Sequence, residues 1–143
     1  MSSDWFEIAA VWKGDLTFDG KNDLDNHVQM GSKENKDNIS PMELLLLGLA
    51  GCTGYDVVSI LKKKRQNLED FQVKVRGIRD DDYPMVYTNI EVEYTFTGEG
   101  LSEKAVTQAI ELSETKYCSA SVMLGKTAKI SSTYRIVDTS EKI

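Results

Sequence analysis

Two cysteines, Cys52 and Cys118, are the residues of this sequence whose chemistry is most suggestive. A thiolate is a nucleophile and a metal ligand, and two thiols that meet can be oxidised to a disulfide. The two lie 66 residues apart, which is not the close spacing of a zinc knuckle or of a thioredoxin-type motif. Only a fold that brings them together makes them a redox pair. The competing interpretation is two separate buried thiols that pack as small apolar side chains.

Glycines surround Cys52 in a segment that is otherwise rich in helix formers. Gly48, Gly51 and Gly54 lie within seven residues of one another. Each costs roughly 1 kcal/mol relative to alanine inside a helix. They indicate either access of a substrate to the sulfur or close packing of another helix. Both interpretations stay open at the level of the local sequence.

Cys118 follows one predicted helix and precedes a short helical segment. A thiol at a helix N-terminus meets the positive end of the dipole, so we expect a lowered pKa, with Lys116 adding to the effect. Asp56, one helical turn after Cys52, and Tyr117, beside Cys118, are candidate hydrogen-bond partners of the thiols. The alternatives are a solvent-facing aspartate and a core tyrosine.

Other kinds of site find little support in the sequence. Two cysteines and one histidine, His27, would need a carboxylate to complete a zinc site, so we expect no metal. We also expect no cofactor, because the sequence has no glycine-rich phosphate loop, nucleophile elbow or dinucleotide fingerprint. A Ser-His-Asp site would depend on His27, and no serine is placed beside it.

Length and charge narrow the class of protein further. The 143 residues suit a single domain covering residues 1–143. A formal net charge of −6 argues against binding to nucleic acid or to an anionic membrane surface. The apolar stretch at residues 44–50 is too short to span a bilayer, and the first residues do not form a secretory signal. We therefore expect a cytoplasmic protein.

The clearest local signal for secondary structure is Ser40-Pro41-Met42-Glu43. Serine is a preferred N-cap, proline suits the first helical position, and Glu43 completes a capping box. The predicted helix runs to about Gln66. Its first half is apolar on nearly every face, which predicts burial all round.

The remaining elements follow from alternation and from helical spacing. The order strands, long helix, strands, helix, strand predicts an α+β fold with an antiparallel sheet. Extended segments are predicted at residues 6–18, 27–30, 71–79, 89–96 and 128–137, a second helix at 101–116, and a short helical segment at 119–124.

Two stretches carry a resemblance to a known family. Ser40-Pro41-Met42-Glu43-Leu44-Leu45 running into Ala50-Gly51-Cys52, and then residues 56–63, resembles the central helix of the OsmC/Ohr superfamily. Residues 109–124, with Lys116-Tyr117-Cys118-Ser119, resemble its second cysteine region. The similarity spans roughly Trp12 to Val137 and is greatest to the YhfA-like branch. It implies an intertwined homodimer with the long helices at its centre.

The resemblance also implies a reaction and its partners. Cys52 would attack an organic hydroperoxide and become a sulfenic acid, and Cys118 would resolve it to a disulfide. A dithiol reductant would then restore both thiols. The implied role is defence against oxidative stress.

The residues that activate the thiolate in this family are not matched one for one. The family pattern has an arginine in the N-terminal strands and a glutamate ten residues before the first cysteine. Met42 holds that position here, Glu43 follows it and points about 100° around the helix, and the first arginine is Arg65. Lys13 or Lys21 would have to replace the arginine. The alternative function is a non-enzymatic binder of small apolar ligands, or a structural dimer, on the same scaffold.

Overall fold

The computed structural model describes residues 5–32, 34 and 37–140. The chain forms two compact units, Met1–Leu45 and Leu46–Ile143, with the boundary inside the long helix. The single domain that the sequence predicts stays a prediction. The elements are β1 (Ile8–Trp12), β2 (Phe18–Asn22), β3 (His27–Met30), α1 (Pro41–Lys63), β4 (Leu68–Arg79), β5 (Tyr87–Gly98), α2 (Glu103–Leu112), a π-helical turn (Ser113–Tyr117), α3 (Ser119–Leu124) and β6 (Lys129–Asp138).

The first unit contains an antiparallel three-stranded sheet in the order β1-β2-β3. A tight turn joins β1 and β2, with Gly14 at φ 110° and Asp15 at φ 46°. The Lys13 N–H donates to the Thr17 carbonyl across it at 2.9 Å. Positive φ favours glycine and tolerates aspartate, which explains the turn composition.

Helix α1 begins with the capping box that its sequence predicts. The Ser40 hydroxyl accepts from the Glu43 N–H at 3.2 Å, and Glu43 accepts from the Ser40 N–H at 2.9 Å. The helix ends at Lys63, three residues before the predicted end. Arg65, at φ 58°, turns the chain into the left-handed region. The Gln66 N–H then donates to the Leu61 carbonyl, which completes a Schellman cap.

Burial of α1 differs from the prediction. Only one stripe at helical spacing is buried, and it consists of Leu49, Thr53, Val57 and Leu61. Leu47 is 55% exposed and Tyr55 is 78% exposed. The prediction of burial all round is therefore wrong for the single chain, because one sheet covers only one face of a helix.

The apolar character of α1 extends well beyond the stretch at residues 44–50. Its 23 residues are long and apolar enough, by length and composition alone, to cross a membrane. A core helix of a soluble protein meets the same criteria, so this is weak evidence for a membrane span.

The second unit contains the sheet β4-β5-β6, which differs in one pairing from the expected antiparallel arrangement. Strands β4 and β5, which include the extended segments predicted at 71–79 and 89–96, are antiparallel as expected. Strand β6 runs parallel to β5. A parallel pair needs a long crossover, and α2, the π-turn and α3 supply it. The α+β class is unchanged.

The core of the second unit lies between this sheet, α1 and α2. Its inward positions on β5 are Ile90, Val92, Tyr94 and Phe96, and those on α2 are Ala105, Val106, Ala109 and Ile110. The rings of Phe71 and Phe96 pack with centroids 5.0 Å apart. This core packs α1, which carries Cys52, and α2, which leads through the π-turn to Cys118, against the sheet.

Candidate functional site

The structure brings Cys52 and Cys118 together in the second unit. The two sulfurs and a carboxylate oxygen of Asp56 lie within 4.8 Å of one another, and both cysteines are free. Cys52 and Asp56 share a helix face because they are four residues apart on α1. A disulfide bond is about 2.05 Å long, so the sulfurs must approach by at most about 2.8 Å to bond.

Cys118 reaches this position through the π-turn. Its N–H donates to the Ser113 carbonyl at 2.7 Å, the five-residue spacing of a π-helix. The sequence predicted one helix that runs to Lys116. Helix α2 instead ends at Leu112, and the π-turn follows it. Cys118 then caps α3, and its sulfur accepts from the Ser121 N–H at 3.3 Å.

The electrostatics of Cys118 differ from the expectation. Burial raises the pKa of this thiol, the neighbouring Cys52 thiol raises it further, and the contacts with Ser121 only partly oppose these effects. Helix α3 has six residues, and its dipole does not offset the loss of solvent around a fully buried sulfur. The Lys116 ammonium lies 5.3 Å from the centroid of the Tyr117 ring.

Asp56 is held in place by a neighbour that the sequence did not single out. The Ser113 hydroxyl donates to Asp56 Oδ2 at 3.1 Å, and Ser113 is fully buried. Within residues 46–140, no lysine or arginine forms an ion pair with Asp56. The carboxylate beside the thiols is thus oriented by a hydroxyl, and no lysine or arginine of this described range is its direct partner.

A second polar cluster lies behind the thiols. Tyr94 donates to Glu114 Oε2 at 2.7 Å, and Ser132 donates to Glu114 Oε1 at 3.2 Å. Burial, and then the contact with Glu114, raises the pKa of Tyr94, which also contacts the Thr53 side chain. The sequence feature that indicates this cluster is the inward position of Tyr94 on an alternating strand, because a buried phenol needs a hydrogen-bond partner.

The other residues that the sequence proposed for the site have different surroundings. Glu43 and Lys13 belong to the first unit, where Glu43 caps α1 and the Lys13 backbone forms the β1–β2 turn. Tyr117 is 52% exposed, so it is not a core tyrosine. His27 hydrogen-bonds to Asp19 at 2.8 Å and to Asp25 at 2.9 Å, not to a serine.

Two cavities border α1 in the second unit. An open, mostly apolar groove of about 620 Å³ runs between α1 and β4 and includes Gly51, Gly54 and Phe71. A Cβ added at Gly51 would meet nothing within 4 Å, whereas one at Gly54 would lie 3.5 Å from Phe71. Gly54 thus packs on the sheet, and Gly51 faces open space.

The second cavity, of about 340 Å³, borders Asp56. Its lining includes Leu112, Tyr117, Lys63 and Lys64. It gives small molecules or ions a path to the carboxylate.

These features define an α+β protein with a paired-thiol site between its long helix and a π-turn. A family model described as OsmC-like protein matches residues 33–133. The chain therefore belongs to the OsmC-like family.

Similar proteins agree with this assignment. Protein YhfA of Escherichia coli (strain K12) is 37% identical over 126 residues, which are 88% of this chain and 94% of YhfA. A hypothetical protein from Aquifex aeolicus VF5 has 32% identity and a TM-score of 0.84, covering 93% of this chain and 96% of its own. The organic hydroperoxide resistance protein OhrB of Bacillus subtilis has 12% identity and a TM-score of 0.64, covering 94% and 100%, so it shares the fold alone.

Proposed function

We propose that this protein is a cytoplasmic thiol peroxidase that reduces organic hydroperoxides. The observation that carries the proposal is the approach of two free thiols and a carboxylate to within 4.8 Å. Membership of the OsmC-like family supports it, because a protein of the same fold, OhrB, is named for organic hydroperoxide resistance. Cys52 is the attacking sulfur, since it is partly exposed whereas Cys118 is fully buried.

The reaction has three balanced steps. The Cys52 thiolate attacks the outer peroxide oxygen, the O–O bond breaks, and the leaving alkoxide takes a proton to give the alcohol and a sulfenic acid. The Cys118 sulfur then attacks the Cys52 sulfur, which forms the disulfide and releases water. An external dithiol reduces this disulfide by two exchanges and is itself oxidised.

Asp56 is the group we assign to proton transfer. Its carboxylate lies within 4.8 Å of both sulfurs, and Ser113 orients it. It accepts the Cys52 proton as the thiolate forms and returns it to the alkoxide. This role replaces part of what an arginine–glutamate pair would do, in a chain whose first arginine is Arg65.

The active form that we propose is a homodimer. The exposed face of α1 includes Leu47, Gly51, Tyr55 and Val58, which is a large apolar surface for one helix of a single chain. Such surfaces mark association sites when they are contiguous. A second copy would cover this face and the groove beside it.

Peroxide consumption with a dithiol reductant tests the activity. Wild-type protein should turn over cumene hydroperoxide, Cys52→Ser should lose turnover to background, and Cys118→Ser should form a sulfenic acid that a dimedone probe traps. Ser131→Ala, an exposed β6 residue, is the matched control and should match wild type. Equal turnover in Cys52→Ser would remove Cys52 from the mechanism.

The groove of about 620 Å³ favours a second candidate function, the binding of a small apolar ligand. Titration of Cys52 reactivity against pH separates the two functions. A Cys52 pKa above about 8.5, the ordinary thiol value, together with no peroxide turnover, would favour the binder.

A further inference from the structure

We propose that the reduced site of Cys52, Asp56 and Cys118 binds one thiophilic divalent cation of the zinc class. Two sulfurs and one carboxylate oxygen are a ligand set that Zn²⁺ accepts, and the described residues place all three atoms within 4.8 Å of one another. From the sequence we expected no metal, because the two cysteines and His27 needed a carboxylate as a further ligand. Asp56 supplies that carboxylate.

The distances fit a small cation after a slight contraction. If the three atoms are at most 4.8 Å apart, some point lies within about 2.8 Å of all three. Zinc bonds are about 2.3 Å to sulfur and 2.0–2.2 Å to oxygen. Each ligand atom therefore moves by roughly half an ångström, which side-chain rotation on α1 and at the start of α3 supplies.

Neighbouring groups already orient two of the three ligands. Ser113, fully buried, donates to Asp56 Oδ2, as outer hydrogen-bond partners of metal-bound carboxylates do. The Ser121 N–H donates to the Cys118 sulfur at 3.3 Å, and a thiolate accepts this bond more strongly than a thiol. Cys52 and Asp56 are fixed to each other by their spacing on one helix face.

A cavity gives the cation a path to one of its ligands, Asp56. The cavity of about 340 Å³ borders Asp56, and a water molecule there would complete four-coordination. The Lys63 and Lys64 side chains also border it, and the Lys64 ammonium is hydrogen-bonded to Gln108 at 2.9 Å. Binding exchanges two thiol protons for one dication, so two protons are released per cation.

This site does not rest on peroxidase activity. Cation binding needs the reduced thiols and Asp56, whereas the peroxidase reaction needs an oxidant and a reductant. The cation test is run without peroxide, and the turnover assay is run with a chelator. Either result therefore stands without the other.

Cobalt titration of the reduced protein under anaerobic conditions tests the proposal. Co²⁺ should bind with one equivalent per chain and give a sulfur-to-cobalt charge-transfer band in the near ultraviolet, and Zn²⁺ should remove the band. Cys52→Ser, Cys118→Ser and Asp56→Asn should each weaken binding by at least about 10-fold. Asp81→Asn, in the exposed β4–β5 connection, should bind as wild type does.

Oxidised wild-type protein provides a test that needs no substitution. Its disulfide should leave no thiolate for the metal, so the charge-transfer band should be absent and should return on reduction. The proposal is overturned if no saturable binding occurs, if the oxidised protein binds equally well, or if Asp56→Asn retains wild-type affinity. Circular dichroism of each variant confirms that it is folded before titration.

Discussion

At the scale of single residues, the contact between Tyr94 and Glu114 stabilises the wall behind the thiols. Tyr94 is fully buried, and its hydroxyl donates to Glu114 at 2.7 Å. Tyr94→Phe leaves that carboxylate with one donor fewer, so we expect a loss of about 1–2 kcal/mol in the free energy of unfolding. Urea unfolding measures it.

The matched control for this substitution is Tyr134→Phe. Tyr134 also donates to a carboxylate, that of Glu103, at 2.6 Å, but the pair is exposed. Water replaces the lost partner there, so we expect a change of less than about 0.5 kcal/mol. Equal losses in the two variants would contradict the difference in burial on which the prediction depends.

His27 makes the stability of the first unit depend on pH. Hydrogen bonds with Asp19, and then with Asp25, raise its pKa above the ordinary value of 6.5. The stabilisation is therefore complete below about pH 6.5 and is lost as the pH rises through the higher folded pKa. His27→Gln should remove this dependence.

The measurement is an NMR titration of the imidazole together with thermal unfolding at several pH values. Since His27 is the single histidine in the sequence, the imidazole signals need no assignment by substitution. A folded pKa at or below 6.5 would contradict the proposed ion pairs. Both pairs are exposed, so we expect high salt to reduce the effect.

At the scale of elements, the end of α1 offers a direct test of backbone strain. Arg65 adopts φ 58° in the Schellman cap, a conformation that costs a non-glycine residue about 1 kcal/mol. We expect Arg65→Gly to raise the free energy of unfolding by about 0.5–1 kcal/mol.

Lys63→Gly is the matched control for Arg65→Gly. Lys63 is the last residue of α1 and has a helical conformation, so glycine there should lower stability by up to about 1 kcal/mol. Opposite signs at two neighbouring positions would identify the backbone angle as the cause. The same sign at both positions would contradict it.

At the scale of the whole molecule, we predict that Gly51→Leu weakens the proposed dimer by at least about 10-fold. Gly51 is exposed and borders the apolar groove, and a side chain there meets nothing within the single chain. A leucine would therefore be tolerated by the fold but would fill space that a second copy needs. Analytical ultracentrifugation across a concentration series measures the dissociation constant.

Glu111→Leu, an exposed position on α2, is the control for added apolar surface. It should leave the dissociation constant unchanged. Wild-type protein that is monomeric at all concentrations would remove the dimer from the proposed function.

The sequence predicted those parts of the fold that local rules determine. The capping box at Ser40 and Glu43 and the short strand at His27–Met30 were confirmed, because turn and cap chemistry acts within a few residues. The parallel pairing of β6 was not predicted, since strand direction depends on how the crossover packs.

The site was only partly visible in the sequence for a similar reason. Cys52 and Cys118 were identified by type, and Asp56 by its spacing, but Ser113 and Tyr94 join them only through the fold. The lowered pKa expected for Cys118 was wrong. The end of a helix can be recognised in a sequence, but the loss of solvent around one sulfur depends on the folded structure, and this loss raises the pKa.

The π-turn sets the direction in which Cys118 leaves α2. Five residues, Ser113–Tyr117, form a wide turn where an α-helix would use about four. Winding the same five residues as an ordinary α-helix would rotate the residues that follow, Cys118 among them, by about 100°. The pairing of the thiols therefore depends on the width of this one turn, and rewinding it would separate the sulfurs without altering the strands of either sheet.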